Sequence, residues 1–289
     1  MPRSYLARFS DTEGFLHVFD RLSRSFRRQR PKEVMKINSY YRQEWAPPGI
    51  DPNIFEKSLG EWLESAAKDS IDRLTHSPAR LTGEDATLLN YIELQRIRVP
   101  RQAEAAKDLM RQTLLRLAPP DVVATIRAGE VLLEIKDSAR FEYMRIVNGK
   151  LFPWFARMEW EVVEAVKGAA FVTTDSPVSF YNAMTPPPAE PGLALAGTIV
   201  FFPLSSCHAL LMRHPEIRTY PDISRLAVLP EPPADDVQIS ITHGVVWNAK
   251  VVNNFNWKMM QLSDRLIVGE SKELLEACTS TSHRPDDAT

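Results

Sequence analysis

The hydrophobic pattern of the chain changes once, close to Gly149, and this change limits the folds that the sequence allows. Before it, apolar residues recur every three or four positions through most of residues 51–147, as on one face of an α-helix. After it, the apolar runs are short and rich in β-branched residues, as in strands. Because helical and extended patterns are segregated rather than alternating, the sequence predicts an α+β fold.

The predicted elements begin with a β-hairpin. Residues 15–20 alternate apolar and polar side chains after a turn at Gly14, and residues 25–30 are their predicted partner. Periodicity, Asp51 as a cap and the break at Pro100 then predict helices at 51–78, 82–98, 102–117 and 121–147. Strands are predicted at 160–165, 169–173, 198–203, 207–212 and 266–268, with a long helix at 237–263.

These elements predict one domain over residues 1–277. We expect a helical layer packed on a small mixed β-sheet that includes the N-terminal hairpin. Residues 278–289 are rich in Ser, Thr and Asp and are expected to form a disordered tail.

Composition favours a cytoplasmic protein that does not bind membranes. The chain is 44% hydrophobic and 25% charged, which is typical of globular proteins. Its two cysteines, Cys207 and Cys278, are too few for a disulfide framework and lack a metal-binding spacing. No apolar stretch approaches the length that crosses a membrane, and the first residues lack the apolar core of a signal peptide.

Positive charge is concentrated near the start of the chain, although the net charge is only -2. Residues 1–45 contain ten Lys and Arg against five acids, including the run Arg24-Ser25-Phe26-Arg27-Arg28-Gln29-Arg30. Contact with nucleic-acid phosphates is one interpretation. With a single aromatic residue in the run, a solvated hairpin face is the favoured one.

Four blocks of sequence carry a resemblance to a known family. They are residues 2–9 with the hairpin 16–20 and the stretch 31–41; residues 55–57 with 64–67; residues 94–101 (LQRIRVPR); and residues 171–178 (FVTTDSPV) with 202–205. On these blocks, which span roughly residues 1–270, the chain resembles DUF4238, a bacterial family of unknown function. The resemblance implies no particular reaction, but it indicates which positions of the chain to consider as site residues. Family members commonly carry a His before the first block, and Met1 directly before Pro2 leaves that position unmatched.

Two glutamates on the first long predicted helix are candidate catalytic residues. Glu56 and Glu64 are eight residues apart, so their backbones lie about 12 Å apart on nearly the same face. That separation is too large for a carboxylate dyad unless the side chains converge. They could serve as a general base or bind a divalent cation such as Mg²⁺ or Mn²⁺. The favoured alternative is that each pairs with an arginine.

A glutamine and an arginine at the end of the next helix form the second candidate. Gln95 and Arg98 are three residues apart, so they share a face of an apolar helix. A buried guanidinium needs a carboxylate partner, which predicts that Arg98 bonds to Glu64 or Glu56. Arg98 could also hold a phosphate or carboxylate ligand, with Gln95 as a further ligand-binding residue.

Asp175 completes the catalytic candidates, and Arg3 and Lys36 are candidate anion-binding residues. Asp175 ends a predicted strand, where functional side chains collect. An Asp-Ser-Pro sequence is also typical of a turn in which the side chains bond to their own backbone, and this interpretation is favoured.

Two functions remain open on the sequence. The first is a hydrolase, with phosphodiester cleavage as the example, in which Arg3 and Lys36 bind the anion and Arg98 stabilises the transition state. The second is a non-catalytic ligand- or partner-binding module in which the same cluster is structural. No Gly-rich phosphate loop, nucleophile elbow or zinc-protease motif is present, and the six histidines show no metal spacing. Ser205-Ser206-Cys207-His208 is not expected to pair a nucleophile with a base, because neighbours in a strand point to opposite faces.

Overall fold

The computed structural model describes residues 1–36, 42, 48–49, 51–53, 64–76, 86–136, 138–187, 189–232, 239 and 241–280. Within these ranges helices and strands are largely segregated along the chain, and the predicted α+β class is confirmed. None of the helices in these ranges is long and apolar enough to cross a membrane.

Helices dominate the part of the chain before residue 157. In chain order they are α1 (Arg3–Leu6), α2 (Glu64–His76), α3 (Ala86–Ile97), α4 (Pro100–Leu117), α5 (Pro120–Arg127), α6 (Ala139–Val147), α7 (Phe152–Arg157), α8 (Pro215–Thr219), α9 (Ala249–Leu262) and α10 (Lys272–Thr279). Pro100 ends α3, as predicted, and also begins α4, because a helix needs no N–H bond at its first residue. Side-chain oxygens of Asn248 and Ser271 cap α9 and α10.

The strands form two sheets. They are β1 (Leu16–Asp20), β2 (Ser25–Gln29), β3 (Glu159–Ala165), β4 (Thr173–Thr174), β5 (Ser179–Tyr181), β6 (Ile199–Pro203), β7 (His208–Arg213), β8 (Ile241–Trp247) and β9 (Leu266–Gly269). A four-stranded antiparallel sheet has the order β2-β1-β9-β4. A five-stranded sheet has the order β5-β6-β7-β3-β8 and is mixed, since only the β3–β8 pair is parallel.

The five-stranded sheet separates two hydrophobic cores. Successive residues of a strand point to opposite faces, so Trp160 and Val162 of β3 lie in one core while Val163 and Ala165 lie in the other. The first core contains the buried residues of α1, α2 and α3. The second contains those of α9 and α10. Because both faces are covered, β6 and β7 are almost continuously apolar.

Several predicted elements are corrected by the structure. The predicted single sheet is two sheets, because the N-terminal hairpin pairs with β9, which pairs in turn with β4, and not with β3, β5, β6, β7 or β8. The predicted helix at 237–263 contains a strand, β8, before α9 begins at Ala249. Of the predicted strand 169–173, only Thr173 is extended in a sheet, together with Thr174. Residues 51–53 form a turn rather than the predicted start of a helix, and the Asp51 side chain accepts a hydrogen bond from the Asn53 N–H over 2.9 Å. The predicted start at 82 falls outside the described residues. Of the predicted tail 278–289, residues 278 and 279 belong to α10, and residues 281–289 fall outside the described residues.

The predicted helix at 121–147 is interrupted by a glycine. α5 ends at Arg127, and Gly129 follows with a φ of 77°. Its N–H bonds to the carbonyl of Ile126, and the next N–H, of Glu130, bonds to that of Thr125. This is the bonding pattern with which glycine closes a helix, and it ends α5 well before α6 begins.

Candidate functional site

A buried tyrosine joins the start of the chain to both sheets. Tyr5 of α1 donates a hydrogen bond from its hydroxyl to the Pro203 carbonyl, 2.8 Å away, and the same oxygen lies 2.8 Å from Thr173 Oγ1. Its ring stacks on Phe202 with centroids 5.7 Å apart. Burial raises the pKa of Tyr5 well above its usual range. The neutral phenol therefore ties α1 to β4 and β6.

A second buried group of polar side chains lies between α2 and α3. The Arg98 guanidinium, at the end of α3, is 3.2 Å from the Glu64 carboxylate at the start of α2, and Arg98 is only 7% exposed. The prediction that Arg98 is buried and bonded to Glu64 or Glu56 is thereby confirmed. Tyr91, two turns earlier on α3, has its pKa raised by burial and by the Glu64 charge, against the opposing effect of Arg98.

Gln95 lies on the same face of α3, and its carboxamide is not satisfied. The residue is 1% exposed, and in the part of the chain that the structure describes neither Oε1 nor Nε2 has a hydrogen-bond partner of acceptable geometry. It is close enough to the Tyr91 hydroxyl to lower the pKa of that phenol, yet the two groups do not meet the geometry of a hydrogen bond. We refer to Glu64, Tyr91, Gln95 and Arg98 as the Gln95 cluster.

Arg8 links the opening of the chain to the same helix pair. Its Nη2 donates to Asp72 Oδ1 over 2.5 Å and to the Lys68 carbonyl over 3.3 Å, both on α2. The Arg8 charge lowers the pKa of Tyr5 and of Tyr91, although burial outweighs it at both positions. The N-terminal segment is thus fixed electrostatically beside the Gln95 cluster.

The other polar residues at the α3–α4 junction bind a glutamate from a later loop. The Glu190 carboxylate forms an ion pair with Arg96, lies 3.2 Å from Arg101 Nε and accepts a hydrogen bond from Gln102 Nε2 over 3.0 Å. Gln102 Oε1 in turn accepts from the Tyr143 hydroxyl. Burial raises the pKa of Glu190, but the two arginines and Gln102 outweigh it and keep the carboxylate ionised. We refer to these five residues as the Glu190 cluster.

Asp175 holds a turn in the four-stranded sheet. Its carboxylate accepts three hydrogen bonds of 2.7–3.0 Å from the backbone N–H groups of Asp264, Arg265 and Leu266. Burial nevertheless raises the pKa of Asp175 above its usual value. The expected turn, in which Asp175 bonds to its own backbone, is therefore not observed among the described residues, because all three N–H groups come from the distant α9–β9 turn.

A comparison with known protein families identifies the family of this chain. A family model described as "Protein of unknown function (DUF4238)" matches residues 1–273. The chain belongs to the DUF4238 family. No curated protein and no solved structure matches it.

The blocks that carry the DUF4238 resemblance meet in space. Tyr5 comes from the first block, Glu64 from the second, Arg98 from LQRIRVPR, Thr173 from FVTTDSPV and Pro203 from the segment that follows. Of the catalytic candidates, Glu64 and Arg98 are brought together, whereas Asp175 is engaged by the α9–β9 turn. Glu56 lies outside the described residues. The catalytic roles of all four remain predictions.

The remaining candidates of this DUF4238 chain lie on the surface. Arg3 and Lys36 are exposed. In the basic run, Arg28 pairs with Asp11 and Glu13 over 2.6 and 2.8 Å, and acids within the same segment therefore offset its charge. The anion-binding and nucleic-acid roles of this region stay predictions, as does a bound divalent cation. In the described ranges, no group of three His, Cys, Asp or Glu could hold a metal ion.

Sequence reasoning missed two features of this DUF4238 structure. Tyr91 was not singled out, although positions 91, 95 and 98 have the spacing that places all three on one helix face. The reason given against Ser205-Ser206-Cys207-His208 was also wrong, since Ser205 precedes β7 and its Oγ lies 3.3 Å from His208 Nδ1. That Oγ also accepts from the backbone N–H of Cys207 and His208, which is the bonding of a turn.

Proposed function

We propose that this DUF4238 chain is a binding module that recognises a small polar molecule at the Gln95 cluster. The single observation that carries the proposal is the Gln95 carboxamide, which is buried without a hydrogen-bond partner for either polar atom among the described residues. An unsatisfied buried polar group costs about 1–3 kcal/mol of stability. A ligand that pairs with both atoms would recover that free energy on binding.

The chemistry of the cluster defines the class of ligand. A carboxamide offers an acceptor next to a donor, so its complement is a group with a neighbouring donor and acceptor, such as a primary amide or the edge of a nucleobase. Glu64 already balances the Arg98 charge. We therefore expect the part of the ligand that enters the cluster to be uncharged, with the Tyr91 hydroxyl as a further polar contact.

The contacts of the candidate residues favour binding over hydrolysis. A phosphodiesterase would need Arg98 to meet developing negative charge, yet the guanidinium is paired with Glu64. It would also need Asp175 as a reacting carboxylate, and this group accepts three backbone hydrogen bonds. Hydrolase activity stays a prediction, as do the catalytic roles of all four candidates, and Glu56 lies outside the described residues. Both cysteines are free thiols, which supports our proposal that the protein acts in the reducing cytoplasm.

The test compares two glutamine variants. Wild type, Gln95→Leu and Gln102→Leu are purified from cells under native conditions, and the small molecules released on denaturation are identified by mass spectrometry. Gln102 is the matched control, because it is a buried glutamine of the Glu190 cluster whose hydrogen bonds are made. We expect a compound with an amide or nucleobase edge to accompany wild type and Gln102→Leu but not Gln95→Leu.

The compound is then added back to ligand-free protein. It should raise the melting temperature of wild type and of Gln102→Leu, and leave that of Gln95→Leu unchanged. Equal retention by all three proteins would reject the Gln95 cluster as the binding site.

A further inference from the structure

A cavity on the five-stranded sheet is lined by three histidines from distant parts of the chain. Its volume is about 170 Å³, and it opens to solvent beside the C-terminal end of α2. It is lined by Leu74, Thr75, His76, Val162, Glu164, His208, His243 and Gly244. We call it the histidine cavity. None of its residues belongs to the Gln95 cluster or to the Glu190 cluster.

The three imidazoles differ in what they already bind. His76 Nδ1 lies 2.8 Å from the Asp72 carbonyl, and His208 Nδ1 lies 3.3 Å from Ser205 Oγ. His243 Nε2 is buried and has no hydrogen-bond partner within the described ranges. Burial lowers the pKa of His208 and of His243, so both rings are uncharged at neutral pH. A neutral ring nitrogen can accept a hydrogen bond from a donor that enters the cavity.

Glu164 supplies a negative charge that no described cation balances. β3 has three glutamates, and two of them form ion pairs: Glu159 lies 3.0 Å from Arg218, and Glu161 lies 3.1 Å from Arg213. Glu164 has no such partner among the described residues, and it is the one that lines the histidine cavity. No Lys or Arg is among the described residues that line it.

We propose that the histidine cavity is a binding site for a small organic cation, with an ammonium or guanidinium group held by Glu164 and His243. The carboxylate provides the counter-charge, and the unpartnered Nε2 of His243 accepts a hydrogen bond from the cation. Leu74 and Val162 provide an apolar wall for a short alkyl chain. The volume corresponds to about six water molecules, which suits a compact ligand.

A metal ion is a weaker fit to the same residues. Imidazole and carboxylate are common ligands of Zn²⁺ and Cu²⁺. In the part of the chain that the structure describes, however, no three of these groups are positioned to hold a metal. A metal ion is a single atom, so the side chains that bind it must converge on one point. An ammonium or guanidinium group has several N–H donors, so it can bond to acceptors that lie apart.

The experiment follows the histidine side-chain NMR signals during titration. The probes are n-butylammonium chloride, n-butylguanidinium chloride and, as the uncharged match, n-butanol. We expect the cations to shift the signals of His76, His208 and His243 and n-butanol to leave them unchanged. Binding should weaken as the pH falls from 8 to 5, because protonation adds positive charge at His208 and His243, beside the carboxylate of Glu164.

Two carboxylate variants complete the test. Glu164→Gln should weaken binding of the cations by about twofold to fivefold, the size expected for a solvent-accessible ion pair. Glu161→Gln is the matched control on the same strand, and it should bind as wild type does. The proposal is overturned if n-butanol gives the same shifts, if Glu164→Gln binds the cations unchanged, or if only added Zn²⁺ moves these signals.

Discussion

Two buried glutamines near the α3–α4 junction have opposite hydrogen-bonding states. Gln102 donates to Glu190 and accepts from Tyr143, so both ends of its carboxamide are paired. Gln95 is at least as deeply buried, and neither of its polar atoms is paired with another described residue. The same residue type is therefore structural at one position and available for recognition at the other.

This difference predicts opposite effects on stability. In ligand-free protein, Gln95→Leu should raise the free energy of unfolding by about 1 kcal/mol, because it replaces an unsatisfied amide with an apolar side chain of similar size. Gln102→Leu should lower it by about 2 kcal/mol, because it removes the acceptor of the Tyr143 hydroxyl and one of the hydrogen bonds to Glu190, which keeps its two arginines. Urea unfolding of the two variants measures both values. A loss of stability in Gln95→Leu as large as that in Gln102→Leu would remove the basis of the proposed function.

The Arg98–Glu64 pair gives a second prediction at this scale. Arg98→Ala should lower the free energy of unfolding by about 3–5 kcal/mol, since it leaves a partly buried carboxylate without its counter-charge. Arg145→Ala is the control, because the Arg145–Glu142 pair is exposed and should contribute about 0.5 kcal/mol or less. Thermal or urea unfolding distinguishes the two cases. An unchanged melt of Arg98→Ala would contradict the structural importance of the pair.

At the scale of elements, the turn between α9 and β9 is held by two carboxylates from distant strands. Asp175, after β4, accepts from the backbone of residues 264–266. Asp20, at the end of β1, accepts two hydrogen bonds from the Arg265 side chain over 2.6 and 2.9 Å. The hydrogen bonds from Arg265 lower the pKa of Asp20 to about 2.

The lowered pKa makes this contact sensitive to acid. A carboxylate with a folded-state pKa below its unfolded value of 3.8 stabilises the protein fully above pH 3.8, and this stabilisation is lost as the pH falls through about 2. Asp20→Asn should therefore be less stable than wild type at pH 6, and the difference should shrink as the pH falls toward 2. Urea unfolding at a series of pH values measures it. A difference that stays constant from pH 6 to pH 2.5 would contradict an ionised Asp20.

Elements were predictable from the sequence where local signals were strong. The hairpin, the break at Pro100 and the apolar strands β6 and β7 are each marked by alternation, a proline or an apolar run. β8 was missed because it is a half-exposed edge strand with Gly244 in its middle, and its apolar residues merge with the periodicity of α9. α10 was missed because eight residues give little periodicity, although Ser271 is a capping residue.

At the scale of the whole molecule, the candidate sites differ in how far the sequence could reveal them. The Arg98–Glu64 pair was predictable because an apolar helix face demands a partner for a guanidinium. The hydrogen-bond partners of Asp175 were not predictable, because backbone N–H groups have no signature in the sequence. The histidine cavity was not predictable either. His208 and His243 come together only through the pairing of β7 and β8 with β3, and His76 comes from α2, which shares a core with β3. The pairing of strands that are far apart in the sequence was the part of the fold that local patterns could not predict.

The position of β9 between β1 and β4 has a consequence for how the protein is made. Residues 16–20 leave the ribosome early, yet the strand that completes their sheet is residues 266–269. At about 5–20 residues per second, the nascent hairpin waits roughly 10–50 s with one edge unpaired. During that time a chaperone, or the hairpin of a neighbouring nascent chain, can occupy the edge. Synthesis at low temperature or with abundant chaperones should therefore favour the soluble product.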